Sequence, residues 1–520
     1  MPQIRDKINP YDLAYLLISV SILLLCLFIW FGGHFPFQYW NDFGEHMADI
    51  KELSRNPLNP KHPFFITESQ TIRYTPYALA GGLFMWFTEV DVINAYWIMS
   101  ASNLILFFTG IYFFSKKYFK DTRSPVYTLL VLLFFWYSAY SYPNDWHINA
   151  LILNAGYPSF FVFGLCIWSF YFALSYLKQE KNTYLLALFL TTSIIFLTHM
   201  LTFLFFFTST VFLALVIKAN HKKKAFIITA MIFGVLFSFL WPYYSLKDFL
   251  ISGLLESQSS LKTVELGGRT ILIDQVFLFI QPFVFPQNML LLGFGVVLGF
   301  YNSIKLFLAK KHVWFFSGFL IFFIPYLLPQ FGVIYIPYWE RFMFFWVFYL
   351  MLACTHFFVE NDLLNPYLWA KKSRIILKEF DGETIRYFSQ NTNDLILLFV
   401  LISFILGFVL QLSTILIFYK PDFDLHELQF LESHVGDYDI VLSDRNISWF
   451  IPLYSGKTVG YSRPSRYFMS DMKERNFDVD YFFSNKCTEH ERREIIERYN
   501  VSFILLNKDL NSKESPDDYH

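Results

Sequence analysis

Eleven apolar runs, most of them close to twenty residues long, divide this chain between residues 12 and 419 and limit its fold more than any other feature. A hydrocarbon layer about 30 Å thick takes about 20 residues of α-helix to cross, and inside it each backbone N–H and C=O must be satisfied within its own segment. The runs at 12–31, 91–114, 125–141, 158–177, 184–199, 202–217, 225–246, 289–308, 313–331, 340–358 and 394–419 therefore predict a mainly α, polytopic helical membrane protein with about 11 transmembrane helices. Only 16% of the 520 residues are charged, against roughly 25% in soluble domains, which excludes disorder and argues against a soluble enzyme. Phe alone supplies 66 residues, a load suited to hydrocarbon as solvent.

The stretch 184–218 is too long for one crossing and is interrupted at Thr198-His199-Met200, so it predicts two helices with a hairpin at His199. Cytoplasmic loops should hold the Lys and Arg excess. With the amino terminus inside, Lys116, Lys117, Lys120, Arg123, Lys178, Lys181 and Lys222 to Lys224 all fall in cytoplasmic loops, and that side holds 20 Lys and Arg against 8 outside before the last helix. One tilted helix over 184–218 would invert everything downstream. The first run is too long for a signal-peptide core and lacks a small-residue cleavage site, so it predicts a retained first helix.

The chain then divides into a transmembrane module, 1–419, with external loops at 32–90 and 247–288, and a small extracytoplasmic α/β domain, 420–520. In that domain 438–442, 457–461 and 501–507 predict strands and 447–454 a short helix. Thr488-Glu489-His490-Glu491 is a capping box opening a helix to Tyr499. Lys plus Arg is 41 and Asp plus Glu is 42, which gives no footing for a nucleic-acid partner. Cys26, Cys166 and Cys354 sit in apolar runs and only Cys487 in a polar one, so neither a disulfide framework nor a CxxC metal site is written here.

Chemistry concentrates in the first external loop. Asp42, Glu45, His46 and Asp49, spaced i, i+3, i+4 and i+7, share one face of a predicted helix lying on the membrane surface. Three readings are open: the wet side of an interfacial helix, a general base with neighbours that tune it, and a divalent-cation site from Asp42, His46 and Asp49. Next, Arg73-Tyr74-Thr75-Pro76 precedes about ten apolar residues holding Gly81-Gly82, too few to cross and so interfacial or re-entrant. Glu340-Arg341 stands at the external mouth of its helix, and His199 at the external hairpin. Arg269 follows Gly267-Gly268 in a loop able to hinge as a lid, and Asp145 and His147 lie in another external loop. Each has a plainer reading: Arg341 snorkelling beside Glu340, His199 capping a helix, and the others as ordinary loop residues.

An external loop after the first helix, an acid opening its amphipathic helix and a Tyr-x-Pro before the next resemble the GT-C superfamily of polytopic glycosyltransferases. The runs Asp439-Ile-Val-Leu-Ser-Asp444 and Ile451-Pro-Leu-Tyr-Ser-Gly-Lys-Thr-Val459 are similar to the external domain of bacterial members. The resemblance implies transfer of a sugar from a polyprenyl-phosphate carrier to a lipid, glycan or protein acceptor, with Asp42 deprotonating the acceptor. Many members show paired acids where this chain has Asp-x-x-x-His, which leaves the shares of Glu45, His46 and Asp49 open. The leaving phosphate gathers negative charge that a preorganised cation stabilises, a role open to Arg341, Arg73 and Arg269, with Tyr74, Glu340 and His199 beside them. No cofactor is required, although a divalent cation fits the acidic face. Inversion at the anomeric carbon, in a bacterial inner membrane or endoplasmic reticulum, completes the expectation. A lipid-linked saccharide flippase or a non-catalytic scaffold would use the same topology. The near absence of ionisable residues inside the spans weighs against an ion-coupled carrier.

Overall fold

The computed structural model describes residues 9–32, 42–67, 71–136, 146–247, 286–331, 339–361, 425–461 and 471–506. Helix α1 (Pro10–Phe31) starts where Asn9 accepts the Tyr11 N–H and Pro10 supplies a preset φ. Leu16, Leu17, Leu24 and Phe28 on its outer side are each more than half exposed, an apolar surface suited to lipid. Two 13-residue helices follow, α2 (Phe43–Arg55) and α3 (Pro76–Thr88). Both are too short to cross a membrane, as expected for interfacial elements. Next come α4 (Val92–Phe119), α5 (Ser124–Phe134), the short α6 (Ile148–Asn154) and α7 (Pro158–Gln179).

The predicted break at His199 is present. Helix α8 (Asn182–Thr198) stops, His199 takes an extended backbone, and α9 (Met200–Val216) begins with its imidazole Nδ1 accepting the Thr202 N–H at 3.2 Å. After α10 (His221–Ser238) come α11 (Pro286–Leu308), α12 (Val313–Leu327), which carries Pro325 and passes into a 3-10 turn, and α13 (Phe342–Asn361). By length and composition α1, α4, α7 and α13 can each cross a membrane, and α5, α8, α9, α12 and part of α11 are shorter apolar helices. Every predicted run coincides with a described helix except 394–419, which lies outside the described residues. Three ends differ most: α4 extends to Phe119, α5 stops at Phe134, short of residue 141, and α10 stops at Ser238, short of residue 246.

Basic loops gather at one end of the bundle. Lys116 pairs with Asp12 at 3.2 Å, Lys178 donates to the Lys117 carbonyl at 3.2 Å, and Lys223 pairs with Glu180 and donates to the Leu177 carbonyl. That gathering needs the chain to turn back at His199, so it fits two helices over 182–216 and not one.

The carboxy-terminal region is a three-stranded parallel sheet in the order β2-β1-β3, with β1 (Ile440–Leu442), β2 (Lys457–Thr458) and β3 (Phe503–Ile504). Val441 stands between Thr458 and Phe503 in register. Two single-turn helices connect β1 to β2. From β2 to β3 the chain runs through α14 (Met472–Phe483) and α15 (Glu489–Tyr499), and Thr488 and Glu491 make the capping box at the start of α15. Leu442, Val459, Val479, Phe482, Cys487 and Ile495 form the small core of this unit. Its strands are shorter than predicted, and α14 was not predicted, because charges at 473, 474, 475, 478 and 480 blur its periodicity.

This domain is docked on the first loop. Trp449 and Phe450 pack on α2, where a Cβ on Gly44 would lie 2.8 Å from the Trp449 ring, so only glycine admits the indole there. Phe64 stacks on both Trp449 and Tyr461, at 5.4 and 4.8 Å, and those two rings meet each other at 4.9 Å, while the Thr458 N–H donates to the Phe64 carbonyl at 2.7 Å. Beneath them Lys457 is buried and donates to Glu52 Oε2 at 2.8 Å and to the carbonyls of His62 and Pro63 at 2.9 and 3.0 Å. Three acceptors use all three ammonium protons.

Candidate active site around the second helix

Helix α2 carries Glu45, His46, Asp49 and Glu52 on one face, as the spacing requires, but that face is not wet. Glu45 is 9% exposed, His46 6%, Asp49 1% and Glu52 1%. The interfacial reading with a solvated acidic side is therefore corrected: α3, the carboxy-terminal domain and the ends of the longer helices cover it. On the α3 side a Cβ on Gly82 would lie 2.6 Å from the Leu53 Cβ and 2.9 Å from its carbonyl carbon, so glycine lets the two helices close.

Burying carboxylates is unfavourable unless cations and donors meet them, and two of the three have such partners. Glu45 forms an ion pair with Arg73, from the turn before α3. Glu52 takes Lys457 on one oxygen and the Lys61 N–H on the other at 3.0 Å. Between them Asp49 has both oxygens buried with no hydrogen-bond partner. Burial, and then the Glu45 and Glu52 charges, hold its pKa well above the usual carboxylate range, with Arg73 opposing. Burial likewise raises Glu45, against the pull of Arg73.

Asp42 stands at the amino-terminal boundary of α2, half-buried, and its carboxylate does not cap the helix. Its backbone N–H donates at 3.1 Å to the hydroxyl of Tyr157, the residue that opens α7. The Tyr157 ring meets His46 edge-on at 5.3 Å. His46 is held neutral by burial first, then by Arg73 and His199.

The predicted cations converge on the same place. His199 is pushed down to about 3 by burial, then by Arg341 and Arg73. Arg341 is half-buried in the 3-10 turn Trp339–Arg341 that leads into α13. Burial does most to keep this imidazole neutral and the two guanidiniums add to it, and that pair of cations makes a locus ready for an anion. The structure thus brings together Asp42, Glu45, His46, Asp49, Arg73, His199 and Arg341 from four separated stretches of chain.

Tyr74 goes elsewhere. It is buried, and its hydroxyl donates to the Lys61 carbonyl. Its ring lines a cavity of about 640 Å³ bounded by the 58–67 segment, Pro242, Tyr243 and Tyr438. His147 does not line an acceptor site: it is 2% exposed, caps α6 by accepting the Ala150 N–H at 3.4 Å, and packs against Trp136. The Glu340 side chain, Arg269 with Gly267-Gly268, and Asp145 lie outside the described residues. Among the described residues no three His, Cys, Asp or Glu side chains meet as a metal-ligand set. From Asp42 to Asp49 the helix rises about 10 Å, which separates those carboxylates.

Three residues of the site escaped the sequence reading. Tyr157 had a signal, a Gly-Tyr-Pro at a helix start like the Tyr-Thr-Pro before α3. Glu52 continues the spacing of Glu45 and Asp49 by one more turn. Lys457 carried none, because its partner is remote in sequence.

No family model matches the sequence, and a search of curated proteins finds no match. Solved structures do match. An oligosaccharyltransferase from Archaeoglobus fulgidus, in the apo form, superposes with a TM-score of 0.57 at 13% identity over 94% of this chain and 69% of that one. ArnT from Cupriavidus metallidurans, in the apo state, gives 0.52 at 11% identity over 91% of each chain. Both are GT-C proteins, and at such identities the likeness is one of architecture. The superpositions take in nearly the whole of this chain and give it the GT-C fold, built here from long apolar helices, four of them long and apolar enough to cross a membrane, two short helices in the first loop and a small α/β domain seated on them.

Proposed function

We propose that this protein transfers a sugar from a polyprenyl-phosphate carrier to an acceptor at the external face of a membrane, with inversion at the anomeric carbon. The observation that supports it is the gathering of the acidic face of α2, with Asp42 at its start, and of Arg73, His199 and Arg341 at the end of the bundle opposite the basic loops, in a GT-C fold. A lipid-linked sugar has a tail that needs hydrocarbon, a phosphate that needs cations and a sugar that needs water. That end of the bundle can offer all three.

Asp42 is the base. It is half-buried and so within reach of an acceptor, whereas Glu45 is engaged by Arg73 and Asp49 is sealed. The acceptor X–H gives its proton to Asp42, the X lone pair attacks the anomeric carbon, and the C–O bond to phosphate breaks with its electron pair leaving on the phosphate oxygen. Arg341 stabilises that oxygen, and Arg73, held by Glu45, sets the field beside it. Neutral His46 and His199 add no competing charge at the base. A bacterial inner membrane suits this reading, and an endoplasmic reticulum membrane has the same sidedness.

The test is carrier consumption by the reconstituted full chain. Asp42→Asn should lower turnover by about 10²- to 10⁴-fold, the range of a positioned base, while carrier binding persists. Arg341→Ala should weaken carrier affinity and turnover together. Equal turnover by wild type and Asp42→Asn would remove the base assignment. Movement of lipid-linked sugar across the bilayer with no bond cleaved would favour a flippase instead.

A further inference from the structure

The cavity beside Tyr74 has no part in the chemistry above, yet it is walled by three separate regions: the stretch of the first loop between α2 and α3, the segment after α10, and the carboxy-terminal domain through Tyr438. At about 640 Å³ it falls in the span of roughly 300–1,000 Å³ typical of small-molecule sites.

Its lining is aromatic and polar together. Phe65, Tyr74, Tyr243 and Tyr438 supply rings, and Asn59 and Thr67 supply hydrogen-bonding groups. The rings are fixed: the Tyr74 hydroxyl donates to the Lys61 carbonyl and that of Tyr243 to the Pro57 carbonyl, and the two rings meet edge-on at 6.3 Å. Trp241 Nε1 secures the Tyr74 carbonyl at 2.9 Å. The Lys61 ammonium sits 4.1 Å from the centre of the Tyr438 ring, a cation–π contact.

Such a surface suits a sugar. A pyranose has C–H faces that pack on aromatic rings and hydroxyl edges that need donors and acceptors, the same duality a tyrosine has. A hydrocarbon chain would leave the polar groups of the lining unmet. A polyanion would want a cluster of cations, and the lining holds one Lys and no Arg.

The cavity lies at the Glu52 end of α2, about 15 Å along the helix from Asp42, so an acceptor seated there reaches the base by extending along that helix. Tyr74 follows Arg73, the partner of Glu45, and the Asp49 and Glu52 carboxylates act on its phenol. We propose that this cavity binds the acceptor, and that the acceptor is a saccharide whose hydroxyl is offered toward α2 from between Tyr74, Tyr243 and Tyr438. The assignment rests on the transferase reading for its role as an acceptor site, but the binding itself can be tested alone.

The full chain in lipid nanodiscs is titrated by calorimetry with neutral oligosaccharides, maltotriose and chitotriose among them, and in a parallel arm with unglycosylated peptides. Saccharide binding by wild type, weakened about tenfold or more in Tyr438→Ala and Tyr243→Ala with thermal unfolding that stays cooperative, is the result expected. Saccharides that fail to bind wild type, bind both variants equally, or are displaced in preference by peptides would overturn it. Carrier consumption by wild type is followed separately. Saccharide binding without consumption leaves the cavity assigned and removes the transferase reading, and consumption without saccharide binding does the reverse.

Discussion

Asp49 is a carboxyl group with no solvent and no hydrogen-bond partner, placed between two others that each have a cation. Its folded pKa stands well above 3.8, so its contribution to stability is present below about pH 3.8 and is lost as pH rises through the folded value. His199 and His46 run the other way. Both are lowered from 6.5 on folding, His199 to about 3, so their contribution is present above about pH 6.5 and is lost as pH falls toward 3. Thermal unfolding of Asp49→Asn across pH 5 to 9 should therefore decline less with rising pH than wild type, and His199→Gln should decline less with falling pH below 6.5. Parallel curves for variant and wild type would remove these assignments. At this scale the spacing of Asp42, Glu45, His46 and Asp49 was legible in the sequence, and Arg73 and Arg341, singled out there as candidates, do lie near that face. The burial of that face was not legible. Residues 42–55 read as a surface helix with a wet acidic face because the groups that cover them lie far along the chain.

Among the elements, the joint between α2 and β2 governs the rest. Lys457 and Glu52 are both 1% exposed, and burial lowers the lysine while Glu52 opposes that shift. Removing one partner of such a pair typically costs about 3–5 kcal/mol, whereas replacing both with apolar groups can be neutral. Lys457→Met should thus loosen the docking of the carboxy-terminal domain and raise hydrogen exchange over 43–55. Lys457→Met with Glu52→Leu should recover most of the loss, and a double variant as exchange-labile as the single one would count against the pair. The helices were legible where apolar runs were long, and so was the break at His199, because Thr198 and His199 interrupt the apolar pattern. Helix α14 was not, since its buried Met472, Val479 and Phe482 are outnumbered by charged residues, one of which, Asp478, is itself buried.

For the whole molecule, the arrangement requires Lys223 and Asp437 to face opposite aqueous compartments. Cys26, Cys166, Cys354 and Cys487 are all buried, so a single cysteine placed at either position can be labelled against a quiet background. In sealed vesicles a membrane-impermeant maleimide should reach one of the two and not the other, and labelling of both from one side would undo the topology. The Lys457–Glu52 contact also has a history in time. Its two residues are 405 apart, and at about 5–20 residues per second a ribosome needs roughly 20–80 s to travel between them. For that interval α2 has been made but its cover has not, so the nascent chain holds an acidic face that nothing yet shields. Pulse-labelled chains should therefore be cut by protease within 43–55 until synthesis passes β2, and become resistant afterwards. A strand made late in synthesis thus completes a helix made early.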